Sequence, residues 1–576
     1  MRTSLTRLAG AAMVALTLAG CAGTSGMIDR FGGQSSDDLL RQAQQQQGSE
    51  AAATRLQAAE LLQRQGNNER ALEVAGNIDR SVLPSDQQLQ WALLTSRAAM
   101  ELQDAQTVLD ATAIVNSNVA LPDSERNTLL ERRGLALAMN NEPFEAASLL
   151  TALQERTDNT QLNDTIWRQL NRLDPGQLDQ LATQGRVAAG WVELARLQRQ
   201  QGANIGALTD AISRWQSSNS SHPASRRLPS DLTALDEIRD QEIHKIAVFL
   251  PQSGPLESIA TAVREGIQTR ADDVRSQGGQ VPELAFYDTA GQDIESLYAR
   301  ATMEGAQAVI GPLSKEQVSQ LETRDQVTLP TLALNYGTHD RNSARNLFQY
   351  GLSAEDEARQ AAQRAQLDGH HSAGVMVPNN EWGSRVLSAF QQQWQQEGGD
   401  LVSVQNYDPS ASATSAVKSV LHNGRGRPDM LFLLALPGYA RQVPPTLDYY
   451  DAANLPIYAT SHAYEGSPQP RMDHDLDDVM FVDIPWLIPE AAAGGSDALP
   501  FESTRERLMQ DDQPALIKLH AMGVDAFELA RRLPVMRAIG GFELYGATGR
   551  LTPAQDGRVV RTLPWAIFRN GQPTLP

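Results

Sequence analysis

Two spacings of hydrophobic positions divide the chain. Residues 36–216 are dominated by alanine, leucine, glutamine and arginine and carry no strand-type runs. Short polar breaks interrupt them at Gly66-Asn67-Asn68, at Asn140-Asn141-Glu142-Pro143 and at Gly202-Ala203-Asn204. Each break is followed by a stretch that reopens with small residues, so the pattern predicts helical hairpins joined by tight turns. From residue 245 the pattern changes to short apolar runs alternating with helical stretches. One series has runs at 246–250, 284–288, 308–313 and 331–335, and a second at 373–378, 402–407, 430–436 and 457–461. Such alternation predicts parallel sheets with helical crossovers, here as two α/β lobes. Residues 542–572 read as a late hairpin. Between the halves, residues 217–243 turn rich in Ser, Pro, Arg and Asp and are expected as a linker.

The helical half resembles tetratricopeptide-type repeats in degenerate form, a TPR-like solenoid with a concave face for a partner; a plain helical bundle is the alternative. At the N-terminus, Arg2 and Arg7 precede an apolar stretch over 8–19 that ends in Leu18-Ala19-Gly20-Cys21. Basic start, short apolar segment and small residues at a cleavage point make a signal peptide over residues 1–20. The stretch is too short to span a bilayer. Cys21 in this place resembles a bacterial lipobox, which implies that lipid is attached to its sulfur. Residues 21–35 are then a lipidated tether, and Ala22, with no aspartate after the cysteine, resembles an outer-membrane address.

Composition narrows the chemistry. A net charge of −20 over 576 residues argues against nucleic acid as a partner. Cys21 is the single cysteine, so intrachain disulfides and cysteine-based metal sites are excluded. Only Lys245, Lys315, Lys418 and Lys518 are lysines; every other positive side chain is arginine.

No catalytic set assembles, and neither a metal nor a cofactor is expected. His370-His371 are sequence neighbours and do not share a face, so they are expected in a loop between helix and strand. The acidic run Asp473-His474-Asp475-Leu476-Asp477-Asp478 lacks the glycine and the terminal glutamate of a calcium loop and is expected as a solvated loop. Ser415 and Lys418 have the Ser-x-x-Lys spacing of penicillin-recognising enzymes, without the companion Ser-Asp-Asn or Lys-Thr-Gly.

From 244 to 576 the order of strand, Ser253-Gly254-Pro255 and helix, with Gly311-Pro312-Leu313-Ser314 after the third strand, is similar to type 1 periplasmic binding proteins. Longer strings carry a closer resemblance: Phe348-Gln349-Tyr350-Gly351-Leu352-Ser353, Pro378-Asn379-Asn380-Glu381-Trp382-Gly383, Ala459-Thr460-Ser461-His462-Ala463-Tyr464 and Gly523-Val524-Asp525-Ala526-Phe527. With the lipobox and the helical half, they resemble the LppC family of outer-membrane lipoproteins, the penicillin-binding protein activators of Gram-negative bacteria. Gln252 departs from the apolar residue common there. The resemblance implies a non-enzymatic protein, anchored in the outer membrane on its periplasmic side, that reaches through peptidoglycan. Its implied partner is a class A penicillin-binding protein, a bifunctional peptidoglycan synthase whose cross-linking it stimulates. The second reading is a tethered solute receptor that takes an amino acid or muropeptide between the lobes. On the expected strands, Ser253, Gly254, Gly311, Ser314, Asn335, Tyr336, Trp382, His462, Tyr464 and Asp525 would face that cleft. The same residues can instead stabilise turns, with Ser253-Gly254-Pro255 capping a helix.

Overall fold

The computed structural model describes residues 35–202, 204–339, 341–492, 499–509, 516–539 and 542–576. Cys21, the signal peptide and nearly all of the tether lie outside the described residues. The chain forms two compact units that divide between Glu142 and Pro143.

The first unit is helical. Helices Ser36–Gln44, Gly48–Arg64, Asn68–Gly76, Ser85–Glu101, Ala105–Thr112 and Asp123–Met139 follow one another through short turns. Caps set their starts: Ser35 accepts from the Asp38 amide, Asn67 from that of Arg70 and Asp104 from that of Thr107. Small residues let the hairpins close, with Ala52, Ala59, Ala71, Ala75 and Ala92 buried beside Leu56, Leu62 and Trp91.

The second unit opens with helices Pro143–Thr157, Asn163–Leu170, Pro175–Ala182, Arg186–Gln201 and Ile205–Ser218. The stretch 217–243, expected as a linker, is largely folded. It completes one helix and forms Pro223–Arg226, Ser230–Ala234 and the 3-10 turn Leu235–Gln241. The reason is His222, which packs edge-on against Trp191 and Trp215 at 5.4 and 5.1 Å. Its Nε2 meets the Val187 carbonyl at 2.9 Å. Leu235 and Ile238 are buried beyond it. These helices dock on the α/β part through Arg199, whose guanidinium lies 5.1 Å from the Tyr545 ring and bonds to the Leu173 carbonyl at 2.6 Å.

The α/β part has three sheets. The first lobe holds β1 (Lys245–Leu250), β2 (Glu283–Asp288), β3 (Ala308–Ile310), β4 (Gln326–Ala333) and β5 (Arg345–Gln349), all parallel in the order β2-β1-β3-β4-β5. The second holds β6 (Ser372–Pro378), β7 (Asp400–Tyr407), β8 (Met430–Leu433), β9 (Ile457–Ala459) and β10 (Val479–Val482), parallel in the order β10-β9-β8-β6-β7. This is the two-lobed type 1 periplasmic-binding-protein fold. The tail holds more than the expected hairpin. β11 (Leu544–Gly546), β12 (Gly549–Pro553) and β13 (Val559–Thr562) make a separate antiparallel sheet, and β14 (Trp565–Arg569) and β15 (Gln572–Thr574) extend the second lobe's sheet antiparallel beyond β10.

One helix ties the lobes together. Twelve of the fourteen residues of Ile517–Ala530 are buried. Ile517, Ala521 and Val524 enter the second lobe's core beside Phe481 and Trp486. Along its length the helix lies against Glu257–Ser276 of the first lobe. The approach is closest at Gly266 and Gly523: a Cβ on the first would strike the His520 carbonyl, and on the second the Val263 carbonyl. Nearby, fully buried Glu528 pairs with Arg270 at 2.7 Å and with Arg532. Burial pushes its carboxyl up, but the surrounding Arg532, Arg270 and Arg531 outweigh this and hold it at about 2. Asp273 accepts from Ser503 at 2.6 Å and Thr504 at 2.8 Å, fastening the helix Glu502–Leu508 to the same bundle.

Gly523→Ala is expected to destabilise the protein by about 2–3 kcal/mol, because the added methyl meets helix backbone that cannot yield. Gly438→Ala, which meets nothing within 4 Å, is the matched control. Urea unfolding midpoints check this; equal midpoints for the two variants would contradict the close helix contact.

Candidate functional site

A cleft of about 910 Å³ opens between the lobes. Three helices begin at its wall. The helix Lys315–Glu322 follows β3, and its N-cap Ser314 makes no side-chain cap. Ser353 caps Ala354–Leu367 by accepting from the Asp356 amide at 3.2 Å. That helix buries Ala358, Ala361, Ala362 and Ala365 on one side, which turns Glu355, Asp356 and Arg359 to the cleft. Asn380 caps Glu381–Gln396 by accepting from the Gly383 amide at 2.9 Å. Burial of Val386, Phe390 and Trp394 there leaves Trp382, Arg385, Gln392 and Gln396 facing the cleft.

Of the ten residues expected at the cleft, Asn335, Tyr336, Trp382 and His462 line it. Asn335 donates to the Leu313 carbonyl at 3.1 Å and accepts from the Tyr336 amide at 3.0 Å. The Tyr336 hydroxyl donates to the Val559 carbonyl at 3.2 Å. Trp382 and His462 stand edge to face with ring centroids 4.9 Å apart. Burial holds the His462 imidazole below its ordinary range, against the pull of Glu357, whose carboxylate is 3.8 Å away.

The other six lie outside that lining. Ser253 and Gly254 sit exposed in the turn after β1, Gly254 with φ +84°. The following helix takes Leu256 as N-cap with no side-chain bond, so the expected cap by Ser253-Gly254-Pro255 does not form. Gly311 is buried with φ +98°, where a Cβ would strike the Phe249 carbonyl. Ser314 is half-buried at the helix start. Tyr464 is core, packed against Phe481 and Phe568 at 5.5 and 5.8 Å. Asp525 is fully buried and holds the three-stranded sheet of the tail: it accepts from the Ala547 amide at 2.7 Å, the Thr548 amide at 2.8 Å, the Thr548 hydroxyl at 2.6 Å and the Tyr350 hydroxyl at 3.3 Å.

Most of the charged lining went unread in the sequence. Lys315 directly follows Gly311-Pro312-Leu313-Ser314 and was within reach of that motif. Arg558, Val559 and Val560 were not, because they come from the chain's end. Beneath the cleft, Glu357 accepts from the Ser461 amide at 2.9 Å and lies 3.4 Å from buried Arg561. Lys518 pairs with buried Asp483 at 3.0 Å. Burial pushes the Asp483 carboxyl up to about 6, with Lys518 opposing.

The paired histidines, the Ser-x-x-Lys spacing and the acidic run lie elsewhere. His370 and His371 fall between a helix and β6, as expected. Ser415 and Lys418 are both exposed on the helix Ala413–His422, away from the cleft lining. Asp473 departs from the expected solvated loop: it is buried and pairs with Arg441 at 2.8 Å.

Burial, offset by the bonds from Thr548 and Ala547, raises the Asp525 carboxyl from 3.8 to about 6. Between about pH 4 and pH 6 the folded protein holds a proton that the unfolded chain has released, so this group's contribution to stability falls as pH rises through that window. Asp525→Asn cannot titrate. The stability advantage of the parent over this variant is therefore expected to shrink by about 2–3 kcal/mol from pH 4 to pH 7 in denaturant melts. An advantage that stays constant with pH would contradict it.

Comparison with known proteins places the whole chain. A family model described as LppC putative lipoprotein matches residues 32–571. The chain is 26% identical to the penicillin-binding protein activator LpoA of Photobacterium profundum, over 98% of this chain and 97% of the relative. It is 27% identical to the protein of that name from Glaesserella parasuis serovar 5, over 97% and 95%. Among solved structures, full-length LpoA from Haemophilus influenzae shares the fold at a TM-score of 0.53 and 23% identity, covering 94% of this chain and 98% of that one. A monoclinic form of the same protein gives 0.56. A family match that runs from the edge of the tether to the last strand leaves one conclusion: the chain belongs to the LppC lipoprotein family.

Proposed function

We propose that this protein is a non-catalytic lipoprotein, anchored through acylated Cys21 to the periplasmic side of the outer membrane, that binds a class A penicillin-binding protein and stimulates its cross-linking of peptidoglycan. The observation that carries this reading is alignment with proteins named penicillin-binding protein activator along nearly their entire length, helical repeats included. A solute receptor needs only the α/β part; the shared helical half is explained by a protein that must reach and touch. No helix among the described residues is long and apolar enough to cross a membrane, which is compatible with a lipid anchor.

The physical route is a shift of population. A protein that binds the active state of the synthase more tightly than the inactive one raises the active fraction by that difference in affinity. Anchoring the two proteins in facing membranes raises their effective concentration, so a modest affinity suffices. The open cleft keeps the receptor reading as a second one, with the ligand held between the lobes.

Adding the purified protein to a reconstituted cross-linking reaction with a class A synthase is expected to raise the fraction of cross-linked stem peptides. It should do so without producing any cross-links when the synthase is absent. An unchanged fraction would refute the activator reading, and turnover by the protein alone would refute its non-catalytic character.

A further inference from the structure

The cleft carries a charge opposite to that of the chain. In a protein of net charge −20, its wall has five cations, Lys315, Arg341, Arg359, Arg385 and Arg558, against two carboxylates, Glu355 and Asp356. Both carboxylates are already engaged: Glu355 pairs with Arg385 at 2.9 Å and Asp356 with Arg359 at 2.6 Å. Of the remaining three cations, two lack a counter-charge. Among the described residues Lys315 and Arg341 have no carboxylate within ion-pair distance, and both are exposed to the cleft. Arg558 is better occupied: it donates through Nη2 to the His339 carbonyl at 2.6 Å, lies 5.7 Å from the Tyr336 ring and has Asp556 at 3.9 Å. The uncapped start of the helix Lys315–Glu322 adds free amides on the same side.

We infer that this cleft binds a small oligocarboxylate, a ligand with two or more carboxylates and no requirement for an ammonium group. A zwitterionic amino acid fits it poorly. Its carboxylate would find Lys315 or Arg341, but its ammonium would meet a wall whose two carboxylates are already neutralised by arginine. A second carboxylate in that place meets cations instead. The Trp382 ring, set edge to face with His462, supplies an apolar flank for the hydrocarbon between the two charged ends. The volume, about 910 Å³, leaves room for such a ligand together with the water that hydrates its charged ends. This site is independent of the activator reading, which needs no ligand.

The test is titration calorimetry on the purified full chain at low ionic strength, with citrate, glutarate, glutamate and leucine as probes. Glutarate and glutamate differ by the ammonium alone. Citrate and glutarate are expected to bind one per chain, with glutarate at least tenfold tighter than glutamate and leucine giving no heat. The double variant Lys315→Ala/Arg341→Ala changes two exposed side chains, so it is expected to keep the parent's melting temperature while losing at least tenfold in affinity for both acids. Arg569→Ala, outside the cleft, should leave affinity unchanged. Three results would each overturn the inference: glutamate or leucine binding as tightly as glutarate, a double variant that binds citrate like the parent, or no heat from any of the acids.

Discussion

The close contact of two helices at Gly266 and Gly523 decides how this molecule can behave. It brings Ile517–Ala530 so near to Glu257–Ser276 that their backbones touch. Because the first turns of that same helix fill the second lobe's core, the helix belongs to both lobes at once. Charge reinforces the arrangement. Glu528 gathers Arg270, Arg531 and Arg532 from the first lobe's side, while Lys518 reaches Asp483 and the Ser461 carbonyl in the second. A buried pair broken on one side leaves an uncompensated charge, so opening the lobes about this helix would cost several kcal/mol at each pair.

A receptor that works by closing on its ligand needs lobes free to move. Here the strut, the three-stranded sheet of β11–β13 and the buried bonds of Asp525 hold the two lobes as one body. A fixed body suits a protein whose effect comes from the surface it presents. It also gives the cation-lined cleft a constant width, so its ligand would be chosen by charge and size more than by the energy of closure. The helices from Pro143 onward continue that body, through His222 between two tryptophans and Arg199 on Tyr545.

Much of this was readable from local pattern. Apolar runs located β1 to β4 and β6 to β9, and the alternation with helices gave the two parallel sheets. β5 and β10 escaped for different reasons: Arg345–Gln349 is polar at three of its five positions, and Val479–Val482, apolar throughout, stands directly behind the acidic run 473–478. The tail reads as one hairpin because alternation reveals a strand but not which sheet receives it; β14 pairs with β10, Phe481 opposite Ala566, and β15 pairs with β14. The cleft was half legible. Asn335, Tyr336, Trp382 and His462 follow strand ends, where the fold places ligand-facing residues. Tyr464 and Asp525 were assigned by the same rule and are core, because the partners that bury them, Phe568 and Thr548, come from the tail. Arg558 reaches the wall from there too, and no local spacing announces it.

The claim that the lobes form one body is tested most directly by pulsed electron-electron resonance between nitroxides at Ala299→Cys in the first lobe and Ser388→Cys in the second, both exposed helical positions, in a Cys21→Ser background. The account predicts a single narrow distance distribution that is the same for the free protein, with citrate and with a class A synthase bound. Two resolved populations in the free protein, or a distribution that moves when citrate is added, would contradict it.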